Sequence, residues 1–324
     1  MRILVTGALG FVGINLVRFF ASQAGAQVIA ADTSPLNRTA SHFLRSVTKQ
    51  VQHVKINICD RAAIQSLFAT WNITHIVHAA ALTLEDTIAT ASRLVEVNLG
   101  GSINLLDAVL SNKTVERAIF ISSSGVYGPP EHHIKQLQCE SDPLQLETLY
   151  SITKRSTELI LARYSILCRK PIIAVRLSAV YGPMEHTKLS RPSTSAVHQL
   201  MTALRDRSRV RVAGQDIVRD WTYTTDIARG IWELLGAREW RHPVYNLSCG
   251  EATAFSQVVQ AFTDLGLVVK WSTGHQIADI GMYPHQARAP LDIGRLSGDT
   301  GFKPSFNLSS GLEDWLQQEP LPIA

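Results

Sequence analysis

The sequence predicts an α/β protein, a doubly wound parallel sheet followed by a smaller C-terminal lobe. Two observations carry this. Short apolar runs alternate with helical stretches of about a dozen residues through the first half, the pattern of parallel strands joined by crossover helices. The first apolar run also ends in a glycine turn that opens straight into a helix, a junction typical of such sheets. With 324 residues the chain exceeds one average domain, so one large domain or two lobes are expected.

Each element has its own warrant. Ile3–Thr6 reads as a buried strand. Phe11–Ala24 reads as a helix with Val12, Leu16, Val17, Phe19 and Phe20 on its apolar side. Val28–Ala31 is a second strand and Val51–Ile56 a third. Arg61–Thr70 is helical, and His75–His78 is a short fourth strand. Ile88–Leu110 reads as one long helical region, and Ala118–Ser122 as a fifth strand. Leu149–Leu167 is a helix, and Ile172–Leu177 a sixth strand. The second half is less regular. Gly182–Thr194 is rich in turn and polar residues and reads as a long loop of the functional or mobile kind. Ser195–Arg207 is helical, Val244–Leu247 returns to the sheet as a strand, and Leu308–Leu316 is the last helix. The tail Glu319-Pro320-Leu321-Pro322 is expected to be loose. No internal repeat or low-complexity segment interrupts the chain.

Composition narrows the function classes. Apolar residues make up 45% and charged residues 18%, the profile of a globular protein with a sizeable core. The formal net charge is +4, and the basic residues are scattered. The cluster Arg205, Arg207, Arg209 and Arg211 reads as a solvated edge or an anionic-substrate site rather than a nucleic-acid patch. Cys59, Cys139, Cys168 and Cys249 are far apart, which argues against both a zinc site and a disulfide framework. His132-His133 lacks a third ligand at metal spacing and reads as exposed loop, so no metal is expected. No apolar run is long enough to span a bilayer. The start shows no cleavable hydrophobic leader, so a cytoplasmic protein is the default expectation.

The first strand ends in Thr6-Gly7-Ala8-Leu9-Gly10-Phe11-Val12-Gly13. Gly7 permits the tight turn, Gly10 lets backbone approach a pyrophosphate, and Gly13 lets helix pack against strand. The helix N-terminus then offers N–H groups and a positive dipole end to phosphates. A lone glycine triplet is weak. Here strand, helix and an acid after the second strand all accompany it. That acid is Asp32, nineteen residues past Gly13. A carboxylate there binds both ribose hydroxyls and repels a 2′-phosphate, so NAD is expected over NADP. An ordinary turn aspartate is the alternative, and Arg38 lies near enough to serve a 2′-phosphate.

Tyr150 and Lys154 are four residues apart on a helix and share one face. The run Ser122-Ser123-Ser124-Gly125-Val126-Tyr127-Gly128 follows the fifth strand, at the sheet edge where such folds bind ligands. Together they suit removal of hydride from a carbon bearing a hydroxyl. The hydroxyl must lose its proton as hydride leaves. A free tyrosine, with a pKa of about 10, is a poor base at neutral pH. A nearby ammonium and a positive nicotinamide ring stabilise the phenolate. A serine hydroxyl can hold the reacting oxygen in line. A Tyr-x-x-x-Lys pair alone is usually a surface accident; the dinucleotide loop and the serine run change that.

With these motifs the sequence resembles the extended short-chain dehydrogenase/reductases, the NAD-dependent sugar epimerases and dehydratases, over nearly its whole length. The motifs are Thr6–Gly13, Asp32, His78-Ala79-Ala80-Ala81, Val97-Asn98-Leu99, Ser122–Gly128, Tyr150–Lys154, Arg176–Pro183, Arg219-Asp220-Trp221 and Val244–Gly250. The resemblance implies a Rossmann-type fold. It implies Ser123, three before Val126, as the catalytic hydroxyl with Tyr150 and Lys154, and Lys154 also on the nicotinamide ribose. It implies cofactor contacts from Gly7, Gly10, Phe11, Val12, Gly13, Asp32, Asn57, Ile58, Ala79, Ala80, Ala81, Asn98 and Val180. Asn57-Ile58 stands where the family often has an adenine-contacting aspartate, and Val180 and Tyr181 would flank the nicotinamide pocket. Substrate contacts are expected from Thr83, Ser124, Arg219 and Arg288. Residues 1–177, completed by about 222–248, would bind NAD; 178–221 and 249–324 would form the substrate lobe.

Three departures bear on the reaction. Family dehydratases place Asp and Glu after the catalytic hydroxyl; Ser124 and Gly125 stand there and cannot act as acid and base. Nucleotide-sugar members carry an asparagine three residues after the sixth-strand arginine; Ala179 stands there and offers a diphosphate no hydrogen bond. His186, Lys188 and Arg191 in the long loop could meet an anionic substrate, or be merely solvated. Arg219 matches a phosphate-contacting arginine, and Arg288 is a second anion contact, though a carboxylate would suit either. Alternatively Arg219 and Asp220 pair to fix the hinge between lobes. The expected function is an NAD-dependent epimerase acting on a sugar or nucleotide sugar. The alternatives are an NAD-dependent dehydrogenase of a free sugar acid, polyol or hydroxy acid, and a non-catalytic dinucleotide sensor. The partner is a small sugar-like molecule, with no nucleic acid or membrane. A homodimer built through Ile88–Leu110 and Leu149–Leu167 as a four-helix bundle is implied by the family and by their wide apolar faces.

Overall fold

The computed structural model describes residues 1–83, 87–129, 137–187, 194–273 and 277–319. In chain order its elements are β1 (Arg2–Thr6), α1 (Phe11–Ser22), β2 (Gln27–Asp32), α2 (Arg38–Phe43), β3 (Val51–Lys55), α3 (Arg61–Thr70), β4 (His75–His78) and α4 (Ile88–Val95). A π-helical turn over Glu96–Gly101 leads into α5 (Ser102–Ser111). Then come β5 (Arg117–Ser123), α6 (Leu149–Cys168), β6 (Ile172–Leu177), β7 (Ala179–Tyr181), α7 (Ala196–Arg205), β8 (Arg209–Ala213), β9 (Val218–Arg219) and β10 (Trp221–Tyr223). The last are α8 (Thr224–Gly236), β11 (Val244–Leu247), β12 (Thr253–Ala254), α9 (Phe255–Asp264), β13 (Val268–Trp271), β14 (Ile280–Gly281), α10 (Gly294–Thr300) and α11 (Leu308–Gln318).

Seven strands form the central sheet in the order β11-β6-β5-β4-β1-β2-β3, and every pair is parallel. The α/β, Rossmann-type expectation holds. The strands are continuous apolar runs because both faces are covered: Ile3, Leu4 and Val5 are fully buried. One face packs on α1 and α8 through Leu16, Phe20, Ile231 and Leu234. The other packs on α3, α5 and α6 through Ile64, Leu105, Leu106 and Leu161. Each such side chain contributes roughly 1.5–3 kcal/mol by leaving water. The strand order reverses between β1 and β4, so the loops that leave their paired carboxyl ends run to opposite faces of the sheet and leave a crevice between them.

A third apolar cluster, with Leu200, Trp221, Phe255, Phe262, Leu312 and Trp315, lies against the small sheet β13-β8-β14. Tyr181 belongs to it: its ring is 5.3 Å from that of Tyr223, and it is a buried core residue rather than a wall of the dinucleotide crevice. Ala179 also packs here.

The long helical region expected over Ile88–Leu110 is present as one continuous run, though not as regular α-helix throughout. Its middle is the wide π-helical turn, held by Asn98. The Asn98 side chain accepts from Leu82 N–H (2.8 Å) and donates to Leu82 C=O (2.9 Å). Of the loop read at Gly182–Thr194, the described part is anchored. Glu185 is buried and accepts from Ser195 N–H (2.8 Å) and Oγ–H (2.6 Å). His132, His133, Lys188, Arg191 and the tail from Pro320 lie outside the described residues. Within the basic cluster, Arg205 pairs with Glu319 at 2.8 Å and Arg211 with Asp279 at 3.1 Å. No helix among the described residues is long and apolar enough to cross a membrane.

Candidate active site

A cleft of about 550 Å³ opens at the carboxyl ends of β1, β2 and β4. Gly7, Gly10, Asp32, Asn57, Ile58, Ala79, Ala80 and Ala81 are on its wall. The loop from β1 to α1 fits a dinucleotide closely. Gly7 has φ 66°, and a Cβ there would stand 2.6 Å from the Ala80 backbone. A Cβ on Gly13 would stand 2.0 Å from Gly7 O, so Gly13 packs helix on strand and does not face the cleft. Phe11 and Val12 form the first turn of α1, whose N-terminus no side chain caps; this positive end suits a diphosphate. Asp32 accepts Leu9 N–H on Oδ2 and Ser34 N–H on Oδ1, each at 2.9 Å. Each oxygen retains accepting capacity for a ribose hydroxyl. Arg38 opens α2 and is exposed. Val180 packs against the core cluster under α1, and Asn98 acts behind the wall through Leu82.

A second cleft, of about 320 Å³, gathers Thr83, Ser123, Ser124, Tyr150, Arg219 and Arg288. Six residues from five sequence regions were expected to meet substrate or react, and the fold brings them to one wall. His186 does not join them. It lies in a separate surface hollow with Glu185 and His198, its Nδ1 2.9 Å from Met184 O. Four further wall residues escaped sequence reasoning: Glu147, Thr148, Ser151 and Ser178. For Thr148 and Ser151 a signal existed. Their side chains form the reciprocal cap of α6, which fixes the turn that presents Tyr150.

Lys154 lies one turn beyond Tyr150 and beneath the cleft. Its Nζ is 5.6 Å from the Tyr150 ring centroid and donates to Ile121 C=O at 2.7 Å. Burial pulls the ammonium down to about 8, against the pull of Glu158. Glu158 is a further turn along α6. Arg176 grips it with two hydrogen bonds, Nε to Oε1 at 2.8 Å and Nη2 to Oε2 at 2.7 Å, and Ser122 Oγ donates to Oε1 at 2.7 Å. Burial opposes its ionisation, but Arg176, Ser122 and Arg155 outweigh it and hold the carboxyl below its ordinary value. Arg176 also donates to Tyr127 Oη (2.9 Å), which donates to Asn246 (2.8 Å). This buried network locks α6 to β5, β6 and β11.

A second buried chain supports the other side. Thr6 Oγ1 is 2.6 Å from His78 Nδ1, and His78 Nε2 is 3.1 Å from Ser102 Oγ, which donates to Asn98 C=O at 2.6 Å. Burial, with Lys154 adding, pushes the His78 imidazole down to about 3, so it is neutral. In the second cleft, Arg219 stacks on Trp221 with its guanidinium carbon 5.2 Å from the ring. Arg288 donates to His285 C=O (2.8 Å) and Ala287 C=O (2.6 Å). Burial lowers its pKa and Glu147 opposes that. The Asp220 carboxylate accepts from Leu291 N–H (3.0 Å), Cys249 Sγ–H (3.1 Å) and Thr222 Oγ1–H (3.3 Å).

A parallel sheet with a dinucleotide crevice at its switch point, beside a cleft holding a serine, a tyrosine and a subjacent lysine, defines a nicotinamide-dependent enzyme. The chain belongs to the NAD-dependent epimerase/dehydratase family, whose model matches residues 3–248. It is 27% identical to a probable dTDP-glucose 4,6-dehydratase from Sinorhizobium fredii, covering 96% of this chain and 91% of that one. In fold it is similar to the UDP-glucose 4-epimerase of Thermus thermophilus in complex with NAD (TM-score 0.81, 23% identity, all of both chains). It is also similar to the UDP-glucuronic acid 4-epimerase of Bacillus cereus in complex with UDP-glucuronic acid and NAD (TM-score 0.79, 24% identity, 98% of this chain and 99% of that one). The protein is therefore an NAD-dependent enzyme of this family.

Proposed function

We propose that the protein is an NAD-dependent epimerase acting on a secondary alcohol carbon of a sugar nucleotide. The observation that carries this is the second cleft, where Ser123 and Tyr150 share a wall with Arg219 and Arg288. Bound NAD supplies a two-electron acceptor that can take hydrogen from a carbon and give it back. The dinucleotide would be held by the Gly7–Gly13 loop, Asp32, Asn57 and the Ala79–Ala81 edge. Tyr150 Oη takes the proton of the reacting hydroxyl, and Ser123 Oγ holds the same oxygen. Lys154 places positive charge under the ring and favours the phenolate. The two arginines hold the anionic handle, and residues 178–221 with 249–324 act as the substrate lobe. A water-eliminating reaction would need an acid and a base beyond Tyr150; Ser124 and Gly125, next to Ser123, supply neither.

Two family relatives of different outcome make the products decisive. Purified protein is incubated with NAD and a panel of UDP- and dTDP-sugars, free sugar acids and polyols, and product chromatography is run beside absorbance at 340 nm. An isomer without net NADH is the expected result. A product lighter by one water, or NADH in step with consumption of a sugar acid or polyol, overturns the epimerase.

We further propose a homodimer through α6 and the α4–α5 segment. Ile152, Leu159 and Ile166 recur every seventh residue along α6 and are exposed, as are Val95 and Leu110. Such a stripe suits a partner helix pair. Sedimentation should give twice the 35.7 kDa chain mass, and Leu159→Glu should give the monomer; a wild-type monomer refutes it.

A further inference from the structure

We propose that the sugar end of the second cleft selects an uncharged or amino sugar over a sugar acid, with Glu147 and Ser178 as the selecting residues. This rests on the sugar-nucleotide reading above.

Ser178 lies on the cleft wall just past β6. Its Oγ lies 2.6 Å from Thr222 Oγ1. Thr222 Oγ1 accepts Cys249 N–H at 2.9 Å and donates its only proton to Asp220 at 3.3 Å. With its proton on Asp220, Thr222 meets Ser178 as an acceptor, and the Ser178 proton is committed to it. Ser178, on the cleft wall, is left to face substrate with lone pairs alone. Phosphate oxygens are acceptors and cannot satisfy it. A sugar hydroxyl or ammonium can. Ala179, the next residue, packs into the core of the third cluster, so Ser178 is the polar side chain that this edge offers.

Glu147 stands on the same wall, three residues ahead of Tyr150. Gln145 Nε2 donates to its Oε1 at 3.0 Å, and its charge acts on Arg288. Among the described residues the cleft thus presents two arginines and one carboxylate: cations for a handle, and an anion for the part that is not the handle. A substrate carboxylate would meet Glu147 as a like charge. At a separation of about 6 Å in partly screened surroundings that costs roughly a factor of ten in affinity. A hydroxyl or amine would instead gain an acceptor.

The test uses the NAD-loaded enzyme and isothermal titration with UDP, UDP-glucose and UDP-glucuronic acid. Wild type should bind UDP-glucose at least about tenfold tighter than UDP-glucuronic acid. Glu147→Gln should narrow that ratio by roughly tenfold. Ser178→Ala should weaken UDP-glucose about fivefold and leave UDP unchanged, a split that general damage to the cleft would not give. Preference for UDP-glucuronic acid, or ratios that neither variant moves, overturns the proposal while the sugar-nucleotide reading stands. Wild type that binds none of the three, while it still binds NAD, overturns that reading and this proposal with it.

Discussion

Lys154→Met should make the NAD-free protein more stable while sharply slowing turnover. The ammonium is buried, and its pKa falls from 10.5 to about 8. One unit corresponds to about 1.36 kcal/mol, so holding this charge inside costs roughly 3 kcal/mol at neutral pH. Methionine fills similar space without a charge. It forfeits the hydrogen bond to Ile121 C=O, worth about 1 kcal/mol. The net gain is on the order of 2 kcal/mol. The sign follows from proton counts. Below pH 8 both folded and unfolded chains carry the proton, and the penalty is constant. Between 8 and 10.5 the unfolded chain binds the proton and the folded one does not, so wild-type stability rises with pH. The advantage of the variant should therefore be largest below pH 8 and vanish by about pH 10.5. Urea unfolding of both proteins from pH 6.5 to 11 reads this directly, and turnover should fall by a factor of about 10²–10⁴. A variant less stable than wild type at pH 7, or an advantage that persists at pH 11, would refute the reasoning.

Other outcomes follow from the buried groups. His78 stays neutral down to about pH 3, while an unfolded histidine protonates near 6.5. Stability should therefore fall by up to about 1.4 kcal/mol per pH unit below 6.5, and His78→Gln should flatten the acid limb of a denaturation series. Glu158→Gln leaves the Arg176 guanidinium buried without its carboxylate; a loss of roughly 3–5 kcal/mol in urea unfolding is expected, and a loss under 1 kcal/mol would count against the network. Asp32→Ala should shift the ratio of NAD to NADP affinity toward NADP, read by tryptophan-fluorescence titration. Gly13→Ala, with its methyl aimed at Gly7 O, should lose NAD binding; a variant that binds NAD normally shows that the loop can yield.

The sheet was legible because each strand is a short apolar run bounded by turn residues. His75–His78, Ile172–Leu177 and Val244–Leu247 are found at the boundaries their sequence suggests. The π-helical turn was not. A helix with an extra residue in one turn keeps nearly the same apolar spacing, so periodicity cannot register it. The proposed trio of Ser123, Tyr150 and Lys154 was legible through local chemistry, a hydroxyl run after a strand and a Tyr-Lys pair on one helical face. Glu147 and Ser178 were not, since neither sits in a pattern of its own. Ser178 gains meaning only beside Thr222, and Glu147 only beside Arg288, partners more than forty residues away. The long-range chain from Arg176 through Tyr127 to Asn246 was invisible for the same reason.

The wide turn at Glu96–Gly101 has a consequence for how this gene could change. Gly100 has open space where a side chain would begin, so substitution there should be tolerated. Deletion should not. Removing one residue would convert the turn to ordinary α-helix and swing Asn98 by about 100° around the axis. Its amide would leave Leu82, and the edge that carries Ala79–Ala81 into the dinucleotide crevice would lose its far anchor. A single-codon loss at a half-buried glycine with open space beside it would thus act as an active-site lesion, and length across this segment is under tighter constraint than the identity of the residues that fill it.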